Sequence, residues 1–86
     1  MNKYWTIAFD DNADGDAYPK NHITSPTLSQ AFADALYLLG GHDHVCIVSD
    51  MTVYNVHAVT FKQVAKYSLV IEKGHYFKMN PIVNKL

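Results

Sequence analysis

The stretch "SPTLSQAFADALYLLGG", residues 25–41, decides the fold. It opens with Ser25 as the expected N-cap and Pro26 at the first helical position, where the missing N–H of proline costs nothing. Two glycines at its end stop the helix. In between, apolar residues recur with helical spacing: Leu28, Ala31, Phe32, Ala35, Leu36 and Leu39. We therefore predict one amphipathic helix over residues 26–39, with this stripe buried against a sheet.

The segment before the helix predicts a β-hairpin. "KYWTIAF", residues 3–9, is rich in aromatic and β-branched side chains, as strands are. "KNHIT", residues 20–24, is expected to run back antiparallel to it. The connection between them, residues 10–19, is then longer than the roughly two to five residues usual in hairpins. Alternate residues of a strand share a face, and we expect the face with two aromatic residues in the core: Trp5, Ile7 and Phe9.

The segment after the helix is predicted to supply further antiparallel strands. "HVCIVSD", residues 44–50, is nearly all apolar, as a central strand beneath a helix would be, and "MTVYNVHAV", residues 51–59, is its expected hairpin partner. Residues 60–67 fit either a short helix capped by Thr60 or a continuing strand, and we prefer the helix. "SLVIE" and "HYFKM" predict a last hairpin, and the tail, residues 79–86, is expected to fray.

Together these elements predict a single compact domain over residues 1–86. One long helix leaves hairpins to connect most strands, so the expected class is α+β: an antiparallel β-sheet with one main α-helix packed on one face. The other face is expected to stay partly wet or to meet a partner. No run approaches the ~20 apolar residues that span a bilayer, so we expect no membrane association.

Cysteine content and the first residues favour a cytoplasmic protein. The single cysteine, Cys46, cannot form an internal disulfide, and its valine and isoleucine neighbours suit a buried thiol in a reducing compartment. The first residues lack the long apolar core and the small-residue cleavage site of a signal peptide.

Charge is distributed unevenly along the chain. Residues 1–59 hold two lysines and seven aspartates, whereas residues 60–86 hold five lysines and one glutamate. The sequence contains no arginine, the residue that makes bidentate contacts to guanine and to phosphate. The missing arginine disfavours nucleic acid as a partner. The uneven distribution of charge along the chain favours a protein partner.

An acidic loop and a pair of histidines are the candidate metal ligands. Within residues 10–21, "DDNADGDAYPKN", five residues fall on the first half of the EF-hand template: Asp10, Asn12, Asp14, Gly15 and Asp16. The candidate ligands among them are Asp10, Asn12, Asp14 and Asp16. Asn21 stands where a calcium loop needs a bidentate glutamate. His42 and His44 alternate along the chain and can share a face of a strand, but no third ligand has a recognised zinc spacing. We favour an ordinary turn and a polar strand entry, with a weak metal site as the alternative.

The sequence carries no recognised catalytic set. Its serines lie outside nucleophile-elbow motifs, no carboxylate pair is spaced for acid–base work, and no glycine-rich phosphate loop is present. We therefore expect a protein that is not an enzyme and that needs no cofactor.

Residues 3–48 resemble small phage-encoded inhibitors of host machinery. The resemblance lies in "KYWTI", then "ITSPTLSQAFADAL", then "HVCIV". The order of a Lys-aromatic-Trp strand, a second strand running into a Thr-Leu helix start, and a third strand is similar to coliphage inhibitors of host RNA polymerase. The run "TLSQ", residues 27–30, resembles the helix start of type I-F anti-CRISPR proteins. The resemblance implies a small protein that binds and inhibits a host protein complex, preferably a CRISPR-Cas effector complex and alternatively RNA polymerase.

Two surfaces are the candidate partner-binding sites. One lies in the acidic loop and the other on the last hairpin: Asp11, Asp14 and Asp16, and Lys73, Tyr76 and Lys78. Charged side chains at a rim set association rate, and a tyrosine adds contact area at a low entropy cost. The sequence leaves a homodimer open.

Overall fold

The computed structural model describes residues 3–49, 59–66, 68–72 and 78–79. The elements are β1 (Tyr4–Asp11), β2 (Ala17–Ser25), α1 (Leu28–Leu39), β3 (His44–Ser49), α2 (Phe61–Ala65), β4 (Leu69–Glu72) and β5 (Lys78–Met79). Every strand pair is antiparallel, and the sheet order is β2-β1-β3-β4-β5. The predicted α+β class is therefore confirmed. In the part of the chain described here, neither helix is long and apolar enough to cross a membrane. Of the strand predicted over residues 51–59, residues 51–58 lie outside the described residues. Of the predicted tail, residues 79–86, Met79 ends β5 and the rest lies outside the described residues.

The hairpin of β1 and β2 has a shorter loop than the sequence predicts. β2 begins at Ala17, which pairs with the last residue of β1. Gly15 N–H donates to the Asn12 carbonyl at 3.1 Å, Asn12 N–H donates to the Asp16 carbonyl at 2.7 Å, and Gly15 has φ 91°. A left-handed glycine of this kind closes a three-residue hairpin loop. The predicted long connection over residues 10–19 is wrong because the Asn/Asp/Gly turn is compact and both strands extend into it.

A β-bulge interrupts the same hairpin. Ala8 pairs with Asn21 and Phe9 pairs with Pro19, so Lys20 faces no partner residue in the register of β1. An extra residue of this kind bends a strand and increases its twist. β2 is the outermost strand on its side of the described sheet, which is where a proline without an N–H is tolerated.

Helix α1 begins at Leu28, not at residue 26 as predicted. Its N-cap is Thr27, which has an extended backbone (φ −127°) and whose hydroxyl accepts from the Gln30 N–H at 3.1 Å. Ser25, the predicted N-cap, is instead the buried last residue of β2, and its hydroxyl donates to the Asp34 carboxylate. The prediction is wrong because Thr27 offers the same capping chemistry two residues later, while pairing with β1 keeps Ser25 in the strand.

The buried face of α1 also differs from the predicted stripe. Four residues of α1 are buried, and two more pack partly against the same cluster: Ala31, Ala35, Leu38 and Leu39, then Leu28 and Phe32. Leu36, predicted to be buried, is 47% exposed, whereas Leu38 is 2% exposed. Leu38 follows Ala31 by seven residues, or about two full turns, and so shares its face. Leu36 follows Ala31 by five residues and so points to the opposite side.

Two hydrophobic clusters cover the two faces of the sheet. The α1 cluster joins α1 to alternate strand residues: Ala8, Val45, Ile47, Leu69 and Ile71. The α2 cluster joins Val64 of α2 to the intervening residues: Ile7, Phe9, Ala17, Cys46, Val48 and Val70. Ile7 and Phe9 are buried on the predicted face and Trp5 is partly buried there, although α1 covers the other face. The second face, expected to be partly wet or to meet a partner, carries α2 and its cluster, which bury its central residues in the described sheet.

Helix α2 confirms the helix preferred for residues 60–67 over the described part of that range, residues 60–66. The Thr60 hydroxyl accepts from the Gln63 N–H at 3.4 Å, and the Gln63 side-chain oxygen accepts from the Thr60 N–H at 2.8 Å. This reciprocal pair is a capping box, which satisfies two backbone donors at a helix start. It fixes Phe61 as the first residue of α2, on the α2 face of the sheet.

Candidate functional site

Five aspartates lie where β1 ends and β3 begins. We call this group the acidic end: Asp10, Asp11, Asp14, Asp16 and Asp43. The first two close β1, the next two belong to the hairpin loop, and the last directly precedes β3. Side-chain exposure is 32% at Asp10, 63% at Asp11 and 40% at Asp16, so water reaches these carboxylates. The fold therefore gathers negative charge that the sequence spreads over 34 positions.

Each histidine of the candidate metal pair is held by its own aspartate. His42 Nδ1 lies 3.1 Å from an Asp10 carboxylate oxygen, and His44 Nε2 lies 2.8 Å from Asp11 Oδ1. Asp43 also joins the end of β1 to the start of β3. Its N–H donates to Asp10 Oδ1 at 3.1 Å, and its carboxylate accepts from the Asp11 N–H at 2.9 Å. Within residues 3–49, 59–66 and 68–72, no three His, Cys, Asp or Glu side chains are grouped to hold a metal ion.

The EF-hand-like residues of the loop make turn contacts. Asn12 Oδ1 accepts from the Ala13 N–H at 2.9 Å, and Asp14 Oδ1 accepts from the Asp16 N–H at 3.0 Å. The second Asp14 oxygen accepts from the Tyr18 hydroxyl at 2.9 Å. Short polar side chains bonded to nearby backbone are typical of turns, and these contacts support the turn interpretation.

Hydrogen bonds shift the pKa values at the acidic end. The Asp16 N–H and the Tyr18 hydroxyl together hold the pKa of Asp14 below its ordinary value, and the bond to Asp14 raises the pKa of Tyr18. Desolvation by burial raises the pKa of Asp10, but the bonds from His42 and from the Asp43 N–H outweigh it. The pKa of Asp10 therefore lies below its ordinary value. The ionised carboxylates are the forms that this geometry stabilises.

These depressed pKa values predict a loss of stability in acid. A carboxylate whose pKa is lower in the folded state contributes stability above its unfolded value of 3.8, and the contribution disappears as the pH falls through the folded pKa. We expect the free energy of unfolding to fall between about pH 5 and about pH 2, and to fall less in Asp10→Asn than in the parent. Urea unfolding at a series of pH values measures both, and an identical pH dependence in the two proteins would contradict the assigned role of Asp10.

A cavity of about 380 Å³ opens beside the His44 pair. We call it the β3–α2 cavity, and its described lining residues are Asp43, His44, Phe61 and Glu72. The His44 ring stacks on Phe61, with centroids 4.5 Å apart and planes inclined by 21°. Phe61 also meets Phe9 nearly edge-on at 5.6 Å. Phe61 and Glu72 are not among the site residues predicted from the sequence, and the Thr60 cap is the one local signal that could have placed Phe61.

The remaining predicted site residues are placed only in part. Lys73 and Tyr76 lie outside the described residues, and Lys78 is described only as a β5 residue paired with Glu72. Lys62 of α2 lies 3.8 Å from Asp16. The predicted grouping of Asp11, Asp14 and Asp16 does lie within the acidic end.

Cys46 is a buried thiol, as the sequence predicts. Burial raises its pKa to about 12, with a smaller opposing effect from Ser68. A thiol with so high a pKa carries almost no thiolate at neutral pH and is a poor nucleophile.

The acidic end can act as a rigid array of carboxylates. Backbone donors and histidine rings fix the directions of Asp10, Asp11 and Asp14, so little side-chain entropy remains to be lost when a cation binds. Such an array suits lysine and arginine groups on the surface of another protein.

No protein-family model matches the chain, and neither a curated protein nor a solved structure matches it.

Proposed function

We propose that this protein is a small, non-enzymatic inhibitor that binds a host protein complex through its acidic end. The observation that carries the proposal is the gathering of five aspartates at one end of the sheet, several of them well exposed. Charge of one sign concentrated on a fixed surface speeds association with a surface of the opposite sign. The partner is therefore expected to offer a basic face.

A CRISPR-Cas effector complex is the preferred partner. The resemblance of residues 3–48 to type I-F anti-CRISPR proteins implies it, and proteins that handle nucleic acid carry the basic surfaces that an acidic end would fit. Host RNA polymerase shares this property and is the alternative target. The acidic end supports either target, because it would fit a basic surface on the partner.

Phage plaquing tests the preferred target directly. The protein is expressed in a host whose type I-F CRISPR system targets the infecting phage, and we expect plaques to recover toward the number seen in a host without the system. A tagged copy should also capture effector subunits identifiable by mass spectrometry. Capture of RNA polymerase with slowed host growth would move the proposal to the alternative target. If neither the effector complex nor RNA polymerase is captured and plaques do not recover, the proposed function is rejected.

Removal of two charges from the acidic end should slow association. In a double variant with Asp14→Asn and Asp16→Asn, the amide oxygen at position 14 can keep accepting the turn hydrogen bond from the residue 16 N–H, while two negative charges are removed. We expect the association rate at low salt to fall about three- to tenfold, with a smaller change in the dissociation rate. The difference should shrink at high salt, where exposed charges are screened. Surface plasmon resonance against the captured complex measures both rates.

The matched control places its charge change on the exposed face of α1. Ser29→Lys combined with Ala33→Lys changes the net charge by the same two units, at positions that are exposed and outside both hydrophobic clusters. Association of this control should differ less from the parent than that of the loop variant. If the control abolishes binding while the loop variant binds like the parent, the interface lies on α1 and the assignment to the acidic end is wrong.

A further inference from the structure

We infer that the β3–α2 cavity is a binding site for an arginine side chain. The arginine would belong to the partner protein, so the source of the arginine rests on the proposed function. The preference for a guanidinium group rests on the four residues that line the cavity: Asp43, His44, Phe61 and Glu72.

The lining of the cavity favours a cation. Asp43 directly precedes β3 and Glu72 ends β4, and both are exposed, so two carboxylate residues line the cavity. Asp43 Oδ2 accepts from the Asp11 N–H at 2.9 Å, which holds that side chain in position. The nearby cation on α2, Lys62, lies 3.8 Å from Asp16 in the hairpin loop, so its charge is paired there.

The aromatic stack favours a guanidinium over an ammonium group. His44 and Phe61 lie with their centroids 4.5 Å apart and their planes 21° from parallel, and Asp11 fixes the His44 ring at 2.8 Å. A planar, weakly hydrated guanidinium stacks on aromatic faces while its N–H groups fork toward carboxylates. An ammonium group is compact and strongly hydrated, and it gains less from a flat wall.

The cavity also has a suitable size. A volume of about 380 Å³ lies at the lower end of the range of small-ligand sites, roughly 300–1,000 Å³. That room admits a guanidinium together with part of its aliphatic stem. The site is distinct from the hairpin loop, so one partner can meet exposed charge at the loop and insert one side chain here.

Ethylguanidinium is the probe for this site, and ethylammonium and ethylurea are its controls. We expect ethylguanidinium to produce saturable NMR shifts at the amides of residues 43, 44, 61 and 72, with binding at least about threefold tighter than that of ethylammonium. The neutral ethylurea should not saturate these shifts. No saturable shift, equal binding of ethylammonium, or equal binding of ethylurea would each overturn the arginine assignment.

A matched pair of variants locates the probe. Glu72→Gln should weaken ethylguanidinium binding about fivefold, the upper end for an exposed ion pair, whereas Asp14→Asn should stay within about twofold of the parent. Both changes remove one carboxylate, but Asp14 does not line the cavity. Equal weakening by both would mean that only the general field attracts the probe. Because the titration uses the isolated protein, its failure overturns the guanidinium site and leaves the proposed function standing. Failed plaquing and capture overturn the proposed function and, with it, the partner as the source of the arginine, but they leave the guanidinium site standing.

Discussion

Leu38→Asp is expected to unfold the protein, while Leu36→Asp is expected to leave it folded. Leu38 is 2% exposed and belongs to the α1 cluster. An unpaired charge buried there costs several kcal/mol, comparable with a total stability of roughly 5–10 kcal/mol for a domain of this size. Leu36 is 47% exposed on the far side of the same helix, where a carboxylate keeps its water.

Circular dichroism and thermal melting measure this contrast. The parent and Leu36→Asp should both show a cooperative transition, and Leu38→Asp should show none or one at a much lower temperature. The two substitutions remove the same side chain two positions apart, so differences in helix propensity nearly cancel. Equal melting temperatures for the two variants would refute the buried face assigned to α1.

Phe9→Ala is expected to lower the free energy of unfolding by about 3–5 kcal/mol, the usual cost of removing a fully buried aromatic ring. Phe9 is 0% exposed, belongs to the α2 cluster and meets Phe61 at a centroid distance of 5.6 Å. Losing the ring leaves a cavity between the sheet and α2. The variant should unfold at a lower urea concentration, and its amides in α2 should lose protection from hydrogen exchange first.

Tyr37→Ala is the control for Phe9→Ala. Tyr37 is 78% exposed, and its removal should change stability by less than about 0.5 kcal/mol. If the free energy of unfolding falls by less than about 1 kcal/mol in Phe9→Ala, the α2 cluster contributes little to stability, and the α1 cluster supplies most of it.

The fold could be predicted wherever its signal is local. The helical spacing before the glycine pair, the apolar run around Cys46 and the cap at Thr60 each specify an element within a few residues. The helix start could not be placed, because Ser25 and Thr27 have equivalent capping groups and only pairing with β1 separates them. The choice between Leu36 and Leu38 depends on how α1 is rotated over the sheet, which is a tertiary property.

The candidate site was predictable in composition and not in geometry. The aspartates of the hairpin loop and the histidines are visible in the sequence, but the pairing of Asp10 with His42 spans 32 residues. The strand register between β1 and β3 determines that contact, and no local pattern encodes it. Glu72 reaches the β3–α2 cavity only because β4 lies beside β3.

The bulge in β2 has a consequence for behaviour at high protein concentration. Fibrils grow when an exposed sheet edge accepts further strands through a continuous ladder of backbone hydrogen bonds. Along the outer edge of β2, Pro19 supplies no N–H, and the unopposed Lys20 breaks the register beside it. An incoming strand would meet a missing donor, a kink and a positive charge within two residues, which protects this edge against amyloid-like stacking.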